Sequence, residues 1–121
     1  MKLSMSKEYG RPLPFIDHLG IERVPDKDGR ALLALDIKPA FRNSWQAAHG
    51  GVIMTLLDSA MSLAARVHMQ GVAGGILTME MNAKFISLFH QIGSKHAIKA
   101  IIPTRCTSKP LQFTIHAVNK V

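Results

Sequence analysis

The chain has 121 residues, 47% of them hydrophobic and 19% charged, the size and balance of one domain with a modest core and no room for a second. A net charge of +7 raises nucleic acid as a partner, but all eight acidic residues precede Phe85, and from His90 onward the only charged groups are Lys95, Lys99, Arg105, Lys109 and Lys120. That basic segment holds only Phe113 for stacking, so a small anionic molecule, or simply a solvated basic face, fits the pattern better than a polynucleotide.

The opening MKLSMSKEYGRPLPF carries basic residues but no apolar segment of signal-peptide length, and no unbroken apolar run approaches the ~20 residues of a membrane span. A cytoplasmic protein that does not engage membrane is the expectation. The single cysteine, Cys106, excludes an intrachain disulfide, and the histidines are scattered without ligand spacing, so neither a metal nor a separate cofactor is expected.

Residues 1–13, with Pro12 and a polar start, read as an irregular arm. Leu19–Val24 (LGIERV) reads as a short strand, Pro25–Gly29 as a hairpin turn, and RALLALDIK as a second strand stopped by Pro39. Pro39–Ala48 is a polar and aromatic loop. From Gly51 to about Met69 the apolar residues fall at helical spacing: Val52, Leu56, Ala60, Leu63 and Val67 share one face, and Ile53, Leu57 and Ala64 widen it. Thr55, Ser59, Ser62 and Arg66 form the polar stripe. After a glycine-rich break, Ile76–Phe89 alternates as a long strand with Leu77, Met79, Met81 and Ala83 on one face; His96–Ile102 and Leu111–Val118 read as further strands. One apolar helix among antiparallel strands predicts an α+β fold with the sheet curled around the helix.

Asp58 is the residue that this plan does not explain. Its helical neighbours three and four positions away are Met54, Thr55, Met61 and Ser62, none of them cationic, so no intrahelical ion pair accounts for it. The helix start offers bare amides at Gly50 and Gly51, where an oxygen atom can approach closely and developing negative charge is stabilised. Asp58 stands ~11–12 Å along the axis from those amides, within one substrate's reach. The spacing suits a general base or nucleophile and a solvent-facing acid alike, and a catalytic and a loop-closing role alike for His49.

NSWQAAHGGVIMTLLDSA resembles the signature of hotdog-fold acyl-CoA thioesterases of the PaaI (phenylacetate degradation) type, in which an Asn, a loop, His-Gly-Gly and a downstream Asp occur at this spacing. PFIDHLGIERV and DGRALLALDI resemble that family's first two strands, and ILTMEMNAKFISLF the strand after its helix, so the likeness runs from about Pro14 to Phe89. The resemblance implies that Asp58 activates water or attacks the thioester carbonyl, that the Gly50 amide polarises the carbonyl oxygen, and that Asn43 and His49 orient the water and shape the pocket. It aligns Thr78 with a Ser or Thr that reaches the site from the partner subunit's strand, and it implies a homodimer, often assembled as a dimer of dimers. Gly51, Met54, Met61 and Ser62 become substrate-binding candidates around the acid, and Lys84 and Arg105 candidates for the CoA phosphates by charge alone. Coenzyme A would then be part of the substrate.

Two features depart from the family pattern. Gln46 occupies a loop position where the family usually has Gly. Residues 90–121 are only loosely similar, place Pro103 inside a would-be strand, and lack the family's last strand with its Ala-Thr-Gly-type ending, so the expected sheet is short of its C-terminal strand. A non-catalytic acyl-CoA-binding protein and an inactive truncated remnant are the alternatives to an enzyme, with acyl-CoA hydratase chemistry a weaker one.

Overall fold

Short capping signals organise the first twenty residues. A computed structural model describes residues 2–69, 75–83, 97–102 and 116–118, the last two ranges by their backbone alone. After β1 (Leu3–Ser4) comes α1 (Met5–Tyr9), capped by the Ser4 hydroxyl, which accepts from the Lys7 N–H, and ended by Gly10 at φ 66°. α2 (Pro14–Leu19) has proline in its first turn and Gly20 at φ 77° as its C-cap, a left-handed backbone that glycine adopts without a Cβ penalty. The expected irregular arm therefore contains a helix. The expected strand Leu19–Val24 also shrinks to β2 (Glu22–Arg23), because Leu19 belongs to α2 and the Gly20 cap lies between them.

The sheet is antiparallel, five-stranded among the described residues, and runs β1-β2-β3-β4-β5. β3 (Ala31–Asp36) is central: it pairs with β2, with Glu22 opposite Ala34, and with β4 (Ala97–Ile102), with Leu33 opposite Ala100. β5 (His116–Val118) pairs with β4. β3 stops at Asp36, before Pro39, which instead opens a single 3-10 turn, Pro39–Phe41. Ala31, Leu33 and Leu35 join the core, and the alternate residues Leu32 and Ala34 are buried too, the unbroken apolar pattern of a strand covered on both faces.

α3 (Gly50–His68) lies on β3 and β4. Its buried residues are Ile53, Leu56, Leu57, Ser59, Ala60, Leu63, Ala64 and Ala65; Val52 and Val67, read from the periodicity into the same face, are only half-buried at its margins. Ser59, expected on the polar stripe, is buried; its hydroxyl donates to the Thr55 carbonyl at 2.8 Å, so burial leaves no orphaned group. By length and composition alone α3 would also suit a membrane span, which a count of unbroken apolar residues does not register; its packing on the sheet is that of a core helix. The result is the α+β arrangement of a hotdog fold, a long helix against an antiparallel sheet.

α1 closes the core from outside the sheet. Met5 is almost fully buried, Glu8 pairs with Arg23 on β2, and the Arg66 guanidinium lies 4.6 Å from the centre of the Tyr9 ring. Burial raises the Tyr9 phenol above its ordinary value, so it stays neutral at physiological pH.

The hairpin between β2 and β3 is held by Asp26, whose two carboxylate oxygens accept from Arg30 Nε and Nη2 at 3.0 Å and whose Oδ2 also accepts from the Arg30 N–H at 3.0 Å. The Arg30 side-chain hydrogen bonds are the main cause that lowers the Asp26 carboxyl from 3.8 to about 2. A depressed carboxyl contributes stability in full above its unfolded value and loses it as pH falls through the folded one, so this contribution disappears between about pH 4 and pH 2. Melts of the wild type and Asp26→Asn should therefore differ at pH 5 and converge by pH 2. An unchanging gap across that range would show that Arg30 does not set the acid sensitivity here.

Candidate active site

The polypeptide reaches α3 through a tightly bonded loop. Asn43 Oδ1 accepts from the N–H groups of Trp45 (2.9 Å) and Ala47 (3.1 Å), and its backbone N–H donates to the Ala47 carbonyl at 2.8 Å. An Asx turn of this kind lets a short side chain take the place of backbone pairing. Arg42 and Ala48 bridge its base. Gln46 sits at φ 61°, the only non-glycine residue with positive φ among the described residues. This is the position where the resembling family usually carries glycine, and the backbone conformation gives the reason.

A side chain at such a φ costs about 1–2 kcal/mol, of which glycine's greater unfolded entropy returns roughly 0.5–1 kcal/mol. Gln46→Gly should therefore raise stability by about 0.5–1 kcal/mol, a gain of a few degrees in Tm. A lower Tm would show that the Gln46 side chain contributes contacts worth more than the strain.

His49 caps α3. Its Nδ1 accepts from the Gly51 N–H at 3.0 Å, which leaves the ring proton on Nε2. A Cβ on Gly51 would come within 3.1 Å of that same Nδ1, so any larger residue there would press on the capping ring. The His49 carbonyl accepts from Val52 and Ile53. Of the amides at this helix start, the Gly50 N–H is the one with no hydrogen bond among the described residues. The sequence reading offers both glycine amides to a ligand; the geometry commits Gly51 to His49 and leaves Gly50.

Asp58, about two turns further along α3, is half-buried. Its Oδ1 accepts from the Thr78 hydroxyl at 2.5 Å, across 20 residues of sequence. A neutral hydroxyl partner holds the carboxylate in place without neutralising it, and Oδ2 has no hydrogen-bond donor among the described residues. Met54, Met61 and Ser62 flank it on the helix, all partly exposed, and Met61 also packs against the core. Asp58 and Thr78 come together within one chain, whereas the resemblance implies a hydroxyl from the partner subunit. Asn43 and His49 lie at the other end of this stretch of helix, each with one side-chain atom occupied by local backbone.

The segment that carries Thr78, Gly75–Ala83, is not a strand. Alternation supplies two faces, but a ladder also needs a partner backbone, and none of the described strands pairs with it. Leu77 and Met79, read as one face of a long strand, are 88% and 96% exposed, whereas Met81 packs against the core. The remainder of the expected strand, with Lys84, lies outside the described residues, as do Arg105, Pro103 and Leu111–Ile115. Among the described residues no group of three or more His, Cys, Asp or Glu side chains is placed to hold a metal ion.

Sequence reading passes over Trp45. The available signal is the chain's only tryptophan in a polar loop five positions before Gly50.

Residues 46–90 match the family model described as the thioesterase superfamily, and no curated protein or solved structure matched the chain. The matched stretch contains the cap, the glycine pair, all of α3 and Thr78. The chain is similar to that superfamily over the cap, α3 and Thr78, with Asn43 outside the matched stretch, and this supports thioester hydrolysis as the general class of chemistry.

Proposed function

We propose that the protein hydrolyses acyl-CoA thioesters to a free acid and CoA, in the manner of the PaaI type. The observation that carries this reading is the Asp58–Thr78 pair, on the same helix whose first amide, Gly50, is unengaged among the described residues. The thioester carbonyl oxygen lies at the Gly50 N–H, where the helix N-terminus stabilises the charge that develops on it. Asp58, held through Oδ1 by Thr78, takes a proton from water on Oδ2 as the water oxygen bonds to the carbonyl carbon. The tetrahedral oxyanion collapses, the carbon–sulfur bond breaks, and the leaving thiolate recovers the proton from Asp58. Direct attack by Asp58 is the variant in which an anhydride forms first and water then cleaves it.

Asn43 and His49 hold the loop and cap that aim the Gly50 amide, and Met54, Met61, Ser62 and Gly51 surround the reacting group. Lys84 and Arg105 are assigned to the CoA phosphates by charge. The functional unit is a homodimer or a dimer of dimers, a reading supported by the exposed Leu77 and Met79 on a segment without a ladder among the described residues, and its setting is the cytoplasm. No cofactor or metal takes part in this scheme.

Free-thiol release from a panel of aryl- and fatty-acyl-CoA esters tests the activity. Turnover of at least one ester well above the uncatalysed rate is expected. Binding of the esters without thiol release would establish the alternative, a non-catalytic acyl-CoA-binding protein.

A further inference from the structure

The loop between Asn43 and Ala47 is held by four hydrogen bonds. Two run to Asn43 Oδ1, one from the Asn43 N–H to the Ala47 carbonyl, and one from the Gln46 N–H to the Asn43 carbonyl. It also keeps Gln46 in a strained conformation. What this ordering holds out is Trp45, 85% exposed and absent from the residues that pack on the core. An indole is among the largest apolar surfaces a chain can bury, and a rigid loop that keeps one in water gains nothing for its own fold. The base of the loop is fixed by the Arg42–Ala48 bridge. Ala48 lies at most ~7 Å along the chain from Gly50 and Trp45 at most ~17 Å, so the loop that carries the ring adjoins the helix start with the unengaged amide.

We propose that Trp45 is the aromatic wall of the acyl subsite, packing its indole face against the apolar acyl group of the thioester held at Gly50. This inference rests on the thioesterase reading above. The acyl group is the occupant because it is bonded directly to the carbonyl carbon at Gly50 and so begins beside that amide. The CoA nucleotide lies at the far end of the pantetheine arm, about the length of an extended chain of four to five residues, ~13–18 Å away. A flat, rigid ring with two side-chain torsions gives a large contact at little entropic cost, and it favours aryl and longer alkyl groups over acetyl.

Because Trp45 is the only tryptophan, its emission reports on this subsite alone. The full-length protein is titrated with phenacyl-CoA, a thioether that cannot be hydrolysed, and with free CoA, while calorimetry follows binding of each. Saturable quenching and a blue shift with phenacyl-CoA, and no change with free CoA, are expected. Equal responses to both would place the ring on the nucleotide and overturn the proposal. So would binding of phenacyl-CoA without an emission change, or emission already blue-shifted that reddens on dilution, which would mean that a second copy covers the ring. Failure of phenacyl-CoA to bind at all would remove the thioesterase reading and this inference with it. In kinetics, Trp45→Ala should raise KM for benzoyl-CoA about tenfold and leave KM for acetyl-CoA unchanged, with Trp45→Phe restoring most of the loss; equal effects on both substrates would contradict a role in acyl recognition.

Discussion

Asp58→Asn is expected to lower thiol release by a factor of about 10²–10⁴, the usual contribution of a positioned general base, with the melt of the protein nearly unchanged. Asparagine keeps an oxygen to accept from Thr78, so the contact at Oδ1 survives, but it offers no basic oxygen in place of Oδ2. The residue is half-buried and does not belong to the core cluster among the described residues. Thiol release and circular dichroism measured on the same preparations separate loss of chemistry from loss of fold. Turnover within twofold of the wild type would remove Asp58 from the mechanism.

Leu63→Ala is expected to have the largest effect on stability. Leu63 is fully buried, a member of the core cluster formed where α3 lies on the sheet. Truncating a fully buried leucine costs about 2–5 kcal/mol, because the lost transfer energy is joined by that of an unfilled cavity. Against a total stability of about 5–15 kcal/mol this is a large fraction, and a fall in Tm of roughly 10 °C or more follows. Denaturant unfolding measures it directly. A loss below about 1 kcal/mol would mean that α3 is not held on the sheet through this face.

The long helix was legible because its signal is dense. Apolar residues recur at helical spacing over the whole of Gly50–His68, and the start read as Gly51 misses the observed one by a single residue. β3 and β4 were legible for a related reason, as short apolar runs bounded by Gly and Pro. α1 and α2 were missed although their boundary signals are printed in the sequence. Pro14 stands at the start of α2 and Gly20 past its end, and Ser4 and Gly10 bracket α1 in the same way. Helices of this length show less than two turns of periodicity, so only the caps announce them. Gly75–Ala83 fails in the opposite direction: its alternation is clear, but a strand is defined by its partner, which alternation cannot supply.

In the candidate site the residue types were legible and their engagements were not. Asp58 stood out because no cation lies within a helical turn of it, and the His-Gly-Gly run marked the helix start. That His49 Nδ1 occupies the Gly51 amide, leaving Gly50, is a matter of one side-chain torsion. That Thr78 reaches Asp58 within the chain depends on how the segment after α3 folds back, a contact between residues 20 apart that no local pattern encodes.

The measurement that tests the central claim most directly is a crystal structure of the protein with a benzoyl-CoA analogue in which CH₂ replaces the thioester sulfur, keeping the carbonyl while removing the cleavable bond. The carbonyl oxygen should lie about 2.7–3.1 Å from the Gly50 nitrogen, with a water between its carbon and Asp58 Oδ2 or the carboxylate itself against that carbon. An analogue bound with its carbonyl far from both Gly50 and Asp58 would contradict the account.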